Sequence, residues 1–179
     1  MSRVSIVCAS RHGATRGIAD RIADVLRAEG LEASVTSPGN PVDPDADAYV
    51  IGSAVYLGSW LKEATDFVHR HATLLAMRPV WLFSSGPLGT ALVDNQGNDV
   101  LADPKAIAEL TELVHPRGHR VFFGAFDPAQ APAAMSERLV RMMPASKDLL
   151  AVGDFRDWDA IAGWAREITA ALASPVASG

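Results

Sequence analysis

Arg3-Val4-Ser5-Ile6-Val7-Cys8-Ala9-Ser10-Arg11-His12-Gly13-Ala14-Thr15 is the stretch on which the fold turns. Its first seven residues are mostly apolar or β-branched with little alternation, the pattern of a buried strand. From Ala14 the period changes. Ile18, Ile22, Val25 and Leu26 fall on one helical face, Arg16, Asp20, Arg21 and Asp24 fall elsewhere, and Gly30 follows as a stop. A strand that passes through a short glycine-containing loop straight into a helix brings loop amides and the helix N-terminus to one point. That point suits an anion. Ser10 and Thr15 add hydroxyl groups, and Gly13 lets a phosphate come close to the backbone. No Gly-Lys-Ser/Thr follows and no G-x-G-x-x-G is present, so neither the P-loop nor the dinucleotide fingerprint applies. A helix cap with no ligand uses the same residue types, and the loop alone leaves that alternative open.

Outward from this stretch the alternation repeats. Glu32–Thr36 reads as a second strand, 37–47 as a turn-rich loop and 48–52 as a third strand. Helical spacing returns over 60–72 through Leu61, Ala64, Phe67 and Val68. A fourth strand, 79–84, is apolar throughout and therefore central. Asp103-Pro104 reads as an N-cap and first-turn proline for a helix carrying Ile107, Leu110, Leu113 and Val114. A fifth strand is expected at 119–124 and a short helix at 135–143. The last helix begins near Asp157 and is expected to bury Trp158, Ile161, Ala165, Ile168 and Leu172. The pattern predicts an α/β fold, a doubly wound five-stranded parallel sheet with helices on both faces. It forms one domain over 1–173 with a frayed tail at 174–179.

The 179-residue chain carries a formal net charge of −5, with pI near 5.5. That balance argues against a nucleic-acid binder, which needs clustered cations. No apolar run approaches the roughly 20 residues of a membrane span, and the first residues lack the pattern of a signal peptide. The single cysteine, Cys8, cannot form an internal disulfide. The expected address is the cytoplasm.

Ser10, Gly13 and Thr15 match the phosphate-binding loop of the flavodoxin family, with His12 where that family often has Thr. The loop resembles it, and the resemblance implies non-covalent FMN held at its phosphate by Ser10, Arg11, His12, Gly13, Ala14 and Thr15. An imidazole N–H can replace the missing hydroxyl. It also implies a strand order 2-1-3-4-5, with the ligand beyond the strand ends at the switch point between strands one and three. Two further loops lie on that edge. Ser53, Ala54, Val55, Tyr56, Leu57 and Gly58 follow strand three; Ser84, Ser85, Gly86, Pro87 and Leu88 follow strand four. Their small residues admit backbone groups to a ring edge, and in the family the equivalent loops clamp the isoalloxazine ring. Tyr56 either stacks on that ring or is an exposed loop aromatic; Trp60 reads as packing at a helix start.

Gly52-Ser53-Ala54-Val55-Tyr56-Leu57-Gly58, with a closing helix opened by Asp157-Trp158 and running to Ala165-Arg166-Glu167-Ile168, resembles the menaquinone-dependent protoporphyrinogen oxidase branch. That implies an oxidoreductase acting on a quinone or protoporphyrinogen-like substrate, with peripheral membrane contact as an alternative address. The segment 86–103 departs from the branch. It holds Asp94, Asp99 and Asp103 and no Lys or Arg, where the branch tends to be basic. Its length is expected to shape a site for a second substrate. Three alternatives stand beside this reading: an electron carrier serving a redox partner protein, a cofactor-free scaffold, and a deazaflavin in place of FMN.

Other chemistry-bearing residues read as structural. Cys8 is a core residue of the first strand. His69 and His71 are two apart on a helix and cannot share a metal, so no metal site is expected. His115 and His119 flank a turn as surface groups, and no Ser/His/Asp set can be assembled. Met135, Met142 and Met143 read as helix packing, and are the first suspects for a membrane or quinone contact.

Overall fold

The computed structural model describes residues 1–94, 96–127, 129 and 152–174. The helix expected at 135–143, with its three methionines, and tail residues 175–179 lie outside them. In chain order the elements are β1 (Arg3–Ala9), α1 (Ala14–Ala28), β2 (Glu32–Thr36), β3 (Ala48–Tyr56), β4 (Ser59–Trp60), α2 (Lys62–Arg70) and α3 (Ala72–Ala76). They continue with β5 (Val80–Ser85), α4 (Ala106–Val114), β6 (Gly118–Phe122), β7 (Ala125–Phe126), β8 (Gly153–Asp154) and α5 (Trp158–Ala173).

β2, β1, β3, β5 and β6 lie side by side in that order, and every pair is parallel. Counted among the parallel strands alone, this is the expected 2-1-3-4-5. Continuous apolar strands are required because both faces are covered. Ile6, Val50 and Phe83 face α1 and α5, where Ile18, Ile22, Ile161 and Ile168 pack. Val7, Ile51 and Leu82 face the other way, toward Phe67, Val68, Leu75 and Leu110. Phe83 also sits edge-on to Trp164, with ring centroids 6.2 Å apart. Cys8 is buried in the first of these layers, and burial pushes its thiol up to about 12.

The structure corrects several local expectations. β3 does not stop at Gly52 but runs to Tyr56, so Ser53 to Tyr56 belong to a strand and not to a loop. Small residues here mark close packing between strands. A Cβ on Gly52 would lie 2.0 Å from Phe83 Cζ. Trp60 does not open a helix; it pairs antiparallel with Val55 across a two-residue turn at Leu57 and Gly58. The helix expected over 60–72 is α2 followed, after His71, by the separate α3. Asp103 does not cap α4, whose N-cap is Lys105 with no side-chain bond. Its carboxylate instead meets His119 Nδ1 at 2.9 Å. His119 is accordingly no surface group, its side chain being 8% exposed. Trp158 is 38% exposed rather than buried. Asp157 does cap α5, accepting from the amides of Asp159 and Ala160.

Candidate functional site

At the carboxyl edge of the sheet, between the ends of β1, β3 and β5, lies a cavity of about 1050 Å³. That is the upper end of the range for small-molecule sites, roughly 300–1,000 Å³. One end is formed by all six residues of the first loop, Ser10, Arg11, His12, Gly13, Ala14 and Thr15. Gly13 sits at φ +83°, a left-handed conformation that costs other residues about 1–2 kcal/mol. Its amide donates to Ser10 Oγ at 3.1 Å, which closes the loop on itself. Gly13 is also the N-cap of α1, so no cap side chain covers the first-turn amides, and no acidic residue lies in that turn. The N-terminal dipole of a 15-residue helix therefore points into the cavity without an opposing carboxylate on its own first turn.

The two side walls are the ends of β3 and β5. Ala54, Val55, Tyr56 and Leu57 line one, and Ser85, Gly86, Pro87 and Leu88 line the other. They close together at their root, where a Cβ on Gly86 would stand 3.0 Å from Val55 Cβ and from its carbonyl oxygen. The Arg11 guanidinium lies 5.0 Å from the Tyr56 ring centroid, joining the first loop to the first wall. Tyr56 is half-buried at the cavity and is not a free loop tip. Three expected residues do not line it. Ser53 and Ser84 are fully buried in the sheet and serve as hydrogen-bond acceptors for Leu61 N and Trp60 Nε1. Gly58 is at the exposed turn. Of the long segment after β5, only Gly86, Pro87 and Leu88 reach the cavity among the described residues. Asp94 organises the rest, taking the amides of Gln96 and Asn98 at 2.8 and 2.9 Å.

The remaining side was not foreseen. Gly124 to Asp127, Val152 to Asp154 and Arg156 line it, with Ser59 to Lys62 on the hairpin side. Gly124 N donates to Pro87 O, and Phe155 N to Gly124 O, so this side is bonded to the β5 wall. Arg156 donates to Ala14 O at 3.2 Å, pairs with Asp154 and covers the Trp158 ring at 4.4 Å. The Arg156 hydrogen bonds hold the Asp154 carboxyl below its usual range. A Cβ on Gly17 would stand 2.6 Å from Arg156 Nη1, so this glycine opens the path of the arginine across α1. A glycine one turn into a helix was the available signal. Among the described residues, no three His, Cys, Asp or Glu are grouped to hold a metal ion, and no helix is long and apolar enough to cross a membrane.

An uncapped helix N-terminus with hydroxyls beside it, facing a slot between two strand ends, fits an anionic group joined to a flat one. Solved structures share the architecture. A flavodoxin variant from Pseudomonas aeruginosa matches at 16% identity and TM-score 0.57, over 96% of this chain and 99% of that one. Oxidised flavodoxin 1 from Bacillus cereus matches at 15% and 0.55, over 94% and 98%. The rubredoxin oxygen:oxidoreductase of Desulfovibrio gigas matches at 14% and 0.54; 97% of this chain is covered, but it spans only 38% of that protein. No curated protein sequence matches. The flavodoxin domain family, however, matches residues 5–144, most of the chain, and with the strand order and the cavity this makes the protein a member of the flavodoxin domain family.

Proposed function

We propose that the chain binds FMN in this cavity and uses it to transfer electrons. The observation that carries the reading is the N-terminus of α1, which no side chain caps among the described residues, flanked by Ser10 and Thr15, at one end of a slot walled by β3 and β5. The first-turn amides and the two hydroxyls would hold the phosphate, with Arg11 and Arg156 adding positive charge. Ala54 to Leu57 and Ser85 to Leu88 would hold the ring and exclude water from its faces. Bound FMN supplies one- or two-electron transfer, and the protein positions and tunes it.

Riboflavin offers the same ring without the phosphate and so isolates the loop. FMN is expected to bind at least tenfold more tightly than riboflavin. Ser10→Ala with Thr15→Ala should remove most of that difference, at about 1–3 kcal/mol for charge-assisted hydrogen bonds. Equal affinities for the two flavins in the native chain would overturn the phosphate assignment.

For the second substrate we propose a quinone or a protoporphyrinogen-like compound, on the strength of the Gly52 to Gly58 motif and the closing helix. A second reading, an electron carrier for a partner protein, is favoured by the nearly end-to-end match to flavodoxin chains of similar extent. Reoxidation of the reduced protein by quinones in steady state supports the enzyme; reoxidation by protein acceptors alone supports the carrier. Titration with a deazaflavin in place of FMN tests the remaining cofactor.

A further inference from the structure

His119 lies outside the cavity wall, at the centre of a polar chain through the sheet. Its Nδ1 is 2.9 Å from Asp103 Oδ1 and its Nε2 is 2.8 Å from Ser84 Oγ. Trp60 Nε1 donates to the same serine oxygen at 2.7 Å. An indole N–H can only donate, so Ser84 Oγ accepts it. A carboxylate can only accept, so His119 carries its hydrogen on Nδ1, and its Nε2 takes the Ser84 hydroxyl hydrogen. The bonds then run in one direction, from Trp60 through Ser84 and His119 to Asp103, and each donor has an acceptor. Burial pushes the His119 pKa below the ordinary histidine value, with Asp103 opposing, in keeping with a neutral ring.

Asp103, His119 and Ser84 stand in the order of a nucleophilic triad, the very set the sequence did not reveal. Ser84, however, is fully buried and its oxygen already holds the indole. What the chain reaches is the hairpin. Trp60 lines the cavity and pairs with Val55, and the same segment that supplies Asp103 also donates Lys105 N to Gly58 O at 3.2 Å. The segment leading into α4 therefore grips the hairpin twice, at its turn through Lys105 N and at Trp60 through Asp103, His119 and Ser84.

We propose that His119 is a positioning residue of the flavin site: with Asp103 and Ser84 it fixes Trp60, and through it the hairpin wall against which the flavin ring lies. The inference rests on the flavin reading above.

Two readouts test it, one of which needs no flavin. The four tryptophans give four indole N–H resonances in a ¹⁵N-labelled sample, and Trp60→Phe identifies the relevant one. His119→Phe and Ser84→Ala are expected to move the Trp60 indole proton upfield, speed its exchange with solvent and weaken FMN binding about tenfold. Asp103→Leu cuts the chain at its exposed end and carries the same expectation where the buried variants do not fold. Asp103→Asn keeps an oxygen for Nδ1–H and should retain both properties. Leu110→Ala, in the core of α4, should lower the melting temperature and move neither. The inference is overturned if His119→Phe or Asp103→Leu leaves the Trp60 indole and the FMN affinity as in the native chain. It is equally overturned if Leu110→Ala weakens FMN binding as much, since the role would then be general stability. A native chain that takes up no FMN overturns the flavin reading instead, and the indole resonance then decides for or against the Trp60–His119 connection by itself.

Discussion

Gly52 has no room for a methyl group: the Phe83 ring occupies that place, and Phe83 is in turn locked against Trp164. Gly52→Ala is therefore expected to destabilise the protein by about 3 kcal/mol through overpacking, read as a lower urea midpoint with little change in slope. The composition of Gly52 to Ala54 invites a turn assignment because glycine and serine are common in turns, yet here they are the residues a crowded strand requires. His119 was opaque for a different reason. Its partners are 16 and 35 positions away, and no local pattern encodes them. It also makes stability depend on pH. Burial lowers its folded pKa, so as pH falls past the ordinary value near 6.5 the unfolded chain takes up the proton first and stability is lost, until the folded ring also protonates. His71, lowered by burial and by Arg70, acts in the same sense. Stability curves between about pH 7 and 5 should flatten in His119→Phe relative to the native chain. The Asp154 carboxyl, held low by Arg156, has its loss in a separate window, below the ordinary aspartate value near 3.9.

Among the elements, the β3–β4 hairpin is one that the sequence hid, as are the two-residue strands β7 and β8. Its turn places Leu57 at φ +51° and Gly58 at φ +74°, the pair of positive angles of a type I′ turn. Leu57 is 81% exposed, so its side chain gains little from burial while its backbone bears the left-handed cost. Leu57→Asn, the residue such a turn favours, is expected to stabilise the chain by about 1 kcal/mol, measured as a higher melting temperature. Leucine beside glycine does not announce a hairpin, and two-residue strands have no periodicity to detect. The long elements were legible because they have it: α1 buries the face carrying Ile18, Ile22, Val25 and Leu26, and α5 starts where Asp157 caps it. Asp103-Pro104 has the form of a helix start but lies short of one, because the carboxylate is drawn to His119.

At the scale of the molecule, the parallel strands stand in the order that the family resemblance implies, and the first loop falls at the switch point between β1 and β3. The loop after β1 and the ends of β3 and β5 converge at that edge, so the first loop and both side walls could be read from the sequence. The side built by Gly124 to Asp127 and Arg156 could not, since it comes from short, irregular segments brought back by Phe155 N bonding to Gly124 O. Fluorescence titration of the purified, flavin-stripped protein with FMN asks directly whether this cavity holds a flavin by its phosphate end. Saturable quenching of FMN emission at one equivalent, restored visible absorbance, and weaker binding after Ser10→Ala with Thr15→Ala are expected. FMN emission that stays unquenched with excess protein would contradict it.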